Sequence, residues 1–401
     1  MATNSTTYLT RTQSSGTSDK IGTFSAWIKY SEVGETNSIF SGHTDSSNRI
    51  ALYIGGSGAL TIYGNIANSQ SVYLITNNLL RDVSAWYHIV VAWDTTQGTD
   101  SNRFKIYVNG LQITSFSTAA YPSVNADVYW NKGTTSIVGA RFISSVVDYF
   151  SGSMANVEFV DGQQLTPAYF GSTDSNTGIW KPGGSSAISD YGTNGFKLKM
   201  DTTSPGADTS GNTNTFTPSG SPTLTQGSPS NVYANLNSIA LTTRQTLSNG
   251  NLTGTASSWA SAISTIGVTT GKWYAEVKYV DATGNIMVGV MDEKDMSSLT
   301  GSTSGLGFTT NSVGYYSGDS YTTNNILGIA LDMTSATKTV TFYKNNATQG
   351  AINLPTTGTG TFFIGTSATN NGKSSINFGE GFFGTTAAGT NADGNGQGLF
   401  A

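Results

Sequence analysis

Residues 86–93 (WYHIVVAW) are apolar on both faces, the pattern of a strand in the middle of a sheet that is covered on each side. This run constrains the fold more than any other, because such a strand needs partners left and right and a layer above and below. Partners are at hand. In residues 24–30, Phe24, Ala26, Ile28 and Tyr30 face one way, and Ser25, Trp27 and Lys29 the other. Residues 50–54 and 60–63 read as short strands separated by the turn signal Gly55-Gly56-Ser57-Gly58. Phe104, Ile106 and Val108 alternate up to Asn109-Gly110, and Leu111 and Ile113 continue beyond it. Asn-Gly tolerates positive φ at both central positions of a tight turn, so a hairpin is expected there. Helical periodicity is missing; residues 165–170 come nearest, with a turn or two.

Composition narrows the class. A chain of 401 residues gives two or three domains at ~150 residues each. Gly is 48 of 401 and charged residues are 11%, while 19 Tyr, 18 Phe and 7 Trp supply a real core; tight turns and strands are expected, not global disorder. A net charge of −5 without a basic cluster argues against nucleic acid as partner. Cysteine is absent, so there is no disulfide framework and no thiolate metal site. Met1 leads into polar residues with no apolar signal core, and no stretch approaches a membrane span of ~18 to 20 apolar residues, so no export route or membrane insertion is expected.

Two sets of motifs carry a family resemblance. In the second half, residues 271–277 (GKWYAEV), 288–290 (VGV), 305–308 (GLGF), 326–332 (ILGIALD) and 338–346 (KTVTFYKNN) follow one another in the order of a SPRY domain, and this half resembles that family. In the first half, residues 86–90 (WYHIV), Asp94 and residues 104–110 (FKIYVNG) resemble a laminin G-like domain of the concanavalin A-like lectin superfamily. Residues 137–139 (IVG) and 150–157 (FSGSMANV) match its closing strands. Residues 8–12 (YLTRT) with 24–29 (FSAWIK) are similar to the versions found in virion surface proteins of tailed bacteriophages. The resemblance implies an all-β chain of two antiparallel β-sandwiches of jelly-roll type joined by a Gly/Ser/Thr-rich linker. The expected divisions are 1–175 for the laminin G-like sandwich, 176–237 for the linker, 238–385 for the SPRY-like sandwich and 386–401 for a flexible tail. Within the linker, residues 195–200 are read as adding one strand, and the remainder as lying along a sandwich surface.

The same resemblance implies recognition rather than catalysis. The expected role is a non-enzymatic protein of the virion surface, on tail fibre, accessory fibre or capsid, presenting lectin-like domains to host-surface glycans. Its partners would be other virion proteins and those glycans, and its state a homo-oligomer, by analogy with phage fibres a trimer. The laminin G-like segment starts close to Met1, which points away from a fibre anchored through its own N-terminus. The alternatives are a polysaccharide-degrading tailspike and a purely structural capsid cement. Against the enzyme, the Glu-x-Asp-x-Glu strand of glycan-cleaving relatives is missing. Glu158 and Asp161 come nearest, but three-residue spacing puts them on opposite faces of a strand. Residues 292–295 (DEKD) read as a solvated loop, and His88 as a packed, hydrogen-bonded strand residue. No cofactor is implied. A structural calcium ion held by loop Asp and Asn oxygens is compatible with the composition, but no loop has EF-hand spacing to name its ligands.

Sugars present apolar C–H faces and a rim of hydroxyls, so aromatic rings beside Asp or Asn make candidate contacts. Two loops offer this set: Asp127, Tyr129 and Trp130 in the first half, and Tyr316, Asp319 and Tyr321 in the second. The competing reading is that Trp130 packs in the jelly roll and that Tyr316 belongs to a strand.

Overall fold

Alternation decides which way each strand faces, and a second layer explains the strand that does not alternate. The computed structural model describes residues 6–133, 135–175, 178–183, 188–201, 204–241, 244–281, 284–296, 310–316, 322–392 and 398–401. They form two units, 1–224 with 228–230, and 225–227 with 231–401. Both are built of antiparallel sheets. None of the helices among the described residues is long and apolar enough to cross a membrane.

In the first unit, the described residues make a six-stranded sheet in the order Phe196–Leu198, Gly152–Asp161, Ile21–Tyr30, Tyr87–Asp94, Phe104–Val108, Leu111–Ile113. An eight-stranded sheet faces it, in the order Phe116–Ala120, Ser69–Leu79, Ala59–Ile66, Asn48–Ile54, Asn37–Asp45, Thr135–Val138, Tyr8–Thr12, Thr217–Ser219. Phe24, Phe40, Trp93, Trp130, Phe159 and Phe196 fill the space between them and are fully buried, with the Phe24 and Phe40 rings stacked at 4.5 Å. Ile89, Val91 and Trp93 point into this core. The opposite side of their strand lies under a second cluster, in which Val90 meets Val160, Phe170 and Tyr191. That double cover is why residues 86–93 show no polar face. Asn109 and Gly110 take φ of 48° and 80°, the tight turn expected from the sequence. The expected helical turn is a 3-10 helix, Pro167–Tyr169.

The stretch expected as a linker, 176–237, contributes much of itself to the first unit. Phe196–Leu198 pairs with Gly152–Asp161, and Thr217–Ser219 pairs with Tyr8–Thr12. Phe196, Leu198 and Phe216 are buried in the core. Few apolar residues occur there, but each is well placed. Asp208 fixes the loop between them by accepting backbone N–H bonds from Lys197, Ser210 and Asn214.

The second unit has a seven-stranded sheet among its described residues, in the order Thr246–Ser248, Thr253–Ala256, Gly372–Asn377, Lys272–Asp281, Ile326–Asp332, Thr339–Lys344, Ala347–Asn353. A four-stranded sheet runs Ala260–Ile263, Phe362–Thr369, Asn285–Asp292, Ser312–Tyr316. Val277, Ile286, Val288, Ile329, Phe342 and Ile376 form its core. The acidic run at 292–295, expected as a solvated loop, is solvated only at Glu293 and Lys294. Asp292 is buried and accepts N–H bonds from Lys294, Thr359 and Gly360, and Asp295 is buried against Asn311. These carboxylates hold turns in place. The expected flexible tail, 386–401, is likewise tied to its own unit where it is described. Phe400 donates its N–H to the Asn391 carbonyl (2.7 Å), Asn377 donates its side-chain amide to the Leu399 carbonyl (2.7 Å), and Ala401 donates to Glu276 Oε2 (2.9 Å).

Candidate ligand-binding surface

The titratable groups that the sequence singles out serve the fold. His88 is fully buried. Trp180 donates its indole N–H to His88 Nδ1 (3.0 Å), which leaves the proton on Nε2 to be donated to Ser25 Oγ (2.9 Å). The ring also stacks on Trp27, with centroids 4.7 Å apart. Burial pushes its pKa down to about 3. Glu158 accepts a bond from the Tyr191 hydroxyl (2.6 Å) and lies 3.8 Å from Lys197 Nζ. Asp161 instead accepts backbone N–H bonds from Thr17, Ser18 and Asn194 and a side-chain bond from Asn131. The two carboxylates thus serve different partners, and Asp161 clamps the N-terminal loop to the sandwich. Among the described residues, no three His, Asp or Glu side chains converge in a way that could hold a metal ion.

The loop candidates fare unevenly. Trp130 is fully buried, its ring 5.1 Å from that of Trp93 and 5.8 Å from that of Phe40, so it cannot stack on a sugar; it is a core residue. Tyr129 is half-buried and packs on the same core. Asp127 is paired with Lys132 and lies 3.4 Å from Lys20. The bond from Lys132, helped by the charge of Lys20 and opposed by partial burial, holds its carboxyl below the ordinary carboxylate range. Tyr316 ends the edge strand Ser312–Tyr316. Asp319 and Tyr321 lie outside the described residues.

A different surface gathers the right chemistry. On the eight-stranded sheet, Leu52, Leu60, Ile62, Val72 and Leu74 face the core, so the intervening Tyr53, Tyr63 and Tyr73 stand on the outer face, each half-buried. Tyr63 sits directly opposite Tyr73, their rings edge-to-face at 5.1 Å. Tyr53 lies diagonally across, because its neighbour Ala51 is the residue opposite Tyr63. A hairpin of Arg141–Phe142 and Val146–Val147 adds polar groups. The Arg141 guanidinium carbon lies 4.2 Å from the centre of the Tyr53 ring, and its Nε donates to Asp148 (2.6 Å). Burial raises the Tyr53 pKa, and Arg141 opposes the rise. Phe142 stacks on His43 at 4.0 Å. In the next registers out, Arg49 faces Asn65, and Asn65 faces Gln70. Apolar ring surface flanked by guanidinium and amide groups can cover the C–H face of a sugar and bond its hydroxyls. The sequence carries a signal for this row: tyrosines at 53, 63 and 73 repeat at equal spacing through successive strands.

Solved structures similar to parts of the chain include a native heptameric SAP-like pentraxin from Limulus polyphemus, 19% identical, covering 41% of this chain and 75% of that one, with a TM-score of 0.31. A human SPRY domain is 17% identical over 31% of this chain and 90% of that one, with a TM-score of 0.26. The CBM40 of the IT-sialidase from Ruminococcus gnavus is 16% identical over 34% of this chain and 74% of that one, with a TM-score of 0.26. No curated protein matches the chain. The family model of the concanavalin A-like lectin/glucanases superfamily, a laminin G type, matches residues 3–168, and this part of the chain is a concanavalin A-like jelly-roll domain.

Proposed function

We propose that the chain is a non-catalytic surface protein of a tailed-phage virion that attaches to host glycans through its first unit. The observation that carries the binding role is the outward row of Tyr53, Tyr63 and Tyr73 with Arg141 at its side, in a domain matched by a superfamily of lectins and glucanases. The virion setting is supported by the similarity of residues 8–12 and 24–29 to phage particle proteins, and by the lack of cysteine. Shallow contacts of this kind are individually weak, so display in many copies, as a trimer or on a lattice of other virion proteins, would raise avidity. The test is a glycan array with a reducing-sugar assay on the same glycans. Binding without release of reducing ends is expected. Tyr63→Ala and Tyr73→Ala should each weaken it roughly tenfold, about 1.4 kcal/mol, while Tyr129→Ala leaves it unchanged. Release of reducing ends would establish the glycanase reading instead. A blank array would leave the structural cement.

A further inference from the structure

We propose that the second unit carries a preformed pocket for a small, neutral aromatic molecule, a role that does not depend on the glycan reading. Residues of this unit enclose a cavity of about 360 Å³, within the range of small-molecule sites, roughly 300–1,000 Å³. Its floor is made by Val268, Phe362 and Ile364, which belong to the sandwich core. Its walls are Trp273, Tyr274 and Phe400.

Trp273 is 45% exposed, and two other lining residues, Val232 and Ile266, are exposed beside it, so apolar surface is left open at this place. The ring is not loose. Its N–H donates to the Thr270 carbonyl (2.7 Å), which fixes the indole at the mouth. Phe400 is held just as firmly, by its own bond to Asn391, by the flanking bonds from Asn377 and Ala401, and by an edge-to-face contact with Tyr274 at 5.0 Å. The walls are therefore in place before any ligand arrives, which lowers the entropy lost on binding.

The polar inventory decides the class of ligand. Every polar side chain in the lining already has a partner in the protein. Tyr274 donates to Glu276 Oε1 (3.2 Å), Ser264 donates to the Ile266 carbonyl (2.7 Å), and the Tyr233 hydroxyl accepts from Asn231 (3.2 Å). Lys272 lies 3.4 Å from the Asp332 carboxylate. Tyr274 and Ser264 have committed their protons inside the protein, so a saccharide would find few donors for its hydroxyls among these apolar walls, and burying unpaired hydroxyls is unfavourable. Lys272 at the rim is paired with Asp332, Glu276 one hydrogen bond behind Tyr274 disfavours an anion deeper in, and no carboxylate among the described lining residues could pair with a cation. What remains is a neutral, apolar molecule, and ring-on-ring contact with Trp273 and Phe400 favours an aromatic one.

The test uses the full chain and the neutral fluorophore N-phenyl-1-naphthylamine. Saturable fluorescence with one site per chain is expected, displaced by naphthalene and not by a panel of methyl glycosides. Trp273→Ala should weaken binding tenfold or more, while Trp273→Phe stays within a few-fold of the native chain. Val232→Glu, which places a carboxylate on an exposed lining residue without touching the core, should also weaken it. Leu111→Ser, an exposed change in the first unit, should do nothing. An unsaturable rise, displacement by the glycosides, or unchanged affinity in both Trp273→Ala and Val232→Glu would overturn the proposal.

Discussion

A histidine bonded through both ring nitrogens and stacked on an indole cannot take up a proton without losing a bond. Protonated His88 would point an N–H at the N–H of Trp180, in a site with almost no water. Its pKa is about 3 in the folded chain, against the ordinary 6.5 of an unfolded one. Between these values the unfolded chain binds the extra proton, so stability rises with pH. The contribution is fully present above about 6.5 and is lost as pH falls toward about 3. The slope is about 1.4 kcal/mol per pH unit, so roughly 2 kcal/mol should disappear between pH 6.5 and 5. Denaturant melts of the first unit at pH 7.5, 6 and 5 should show this loss, and His88→Gln should flatten it. A slope that survives in His88→Gln would mean another group is responsible. At this scale the sequence is half legible. The strand that carries His88 can be read from its neighbours, but Trp180 lies 92 positions away in a Gly- and Ser-rich stretch, where nothing local marks it as the partner. Trp130 shows the opposite case. Val128 and Trp130 are both buried while Asp127 and Tyr129 between and beside them are not, a short alternation that the surrounding polar residues conceal. Trp93 is accommodated because Gly22 lies opposite it; a Cβ there would collide with the indole.

Elements are legible where one turn or one period fixes them, and obscure where a distant segment covers them. The hairpin at Asn109-Gly110 needs only its own two residues. Its glycine has a second duty that no local rule reveals, because a Cβ on Gly110 would lie 2.7 Å from the ring of Trp180. Gly110→Ala should therefore be penalised twice, by about 1–2 kcal/mol for the left-handed backbone and about 1–3 kcal/mol for overpacking. A double-mutant cycle separates the two. In a Trp180→Ala background, Gly110→Ala should retain only the backbone part, leaving a coupling of about 1–3 kcal/mol. Additive effects would show that the indole does not rest on the hairpin. The tyrosine row is legible only in part. Alternation predicts that Tyr53, Tyr63 and Tyr73 face away from the core, but only the strand register shows that Tyr63 and Tyr73 meet. The Arg141 hairpin that completes the surface is two residues per strand, too short for any periodicity to announce.

At the scale of the whole molecule, composition shows that the chain folds as sandwiches but misplaces where the first one ends. Residues 188–219 look like a linker because polar and small residues dominate, yet they supply one edge strand to each of the two large sheets in the first unit. Phe196 stacks on Phe159 at 5.7 Å and meets Phe216 at 4.7 Å, closing one end of the core. Asn214, from the same loop, accepts a bond from Arg11 of the N-terminal strand. A chain cut at 175 would lose Phe196, Leu198 and Phe216 together. Truncating large buried side chains costs about 2–5 kcal/mol each, so roughly 6–15 kcal/mol is at stake, comparable to the whole stability of a domain. It would also bare the edge of the strand Gly152–Asp161, an invitation to aggregation. The expected outcome is that a fragment of residues 1–230 melts cooperatively, whereas residues 1–175 yield an aggregating or non-cooperative product. Limited proteolysis of the intact chain should agree, cutting first between 220 and 232, where no strand among the described residues pairs the backbone, and sparing 188–219. A cooperative melt from residues 1–175, or early cleavage within 188–201, would show that the closing strands are dispensable and that the first sandwich is complete without them.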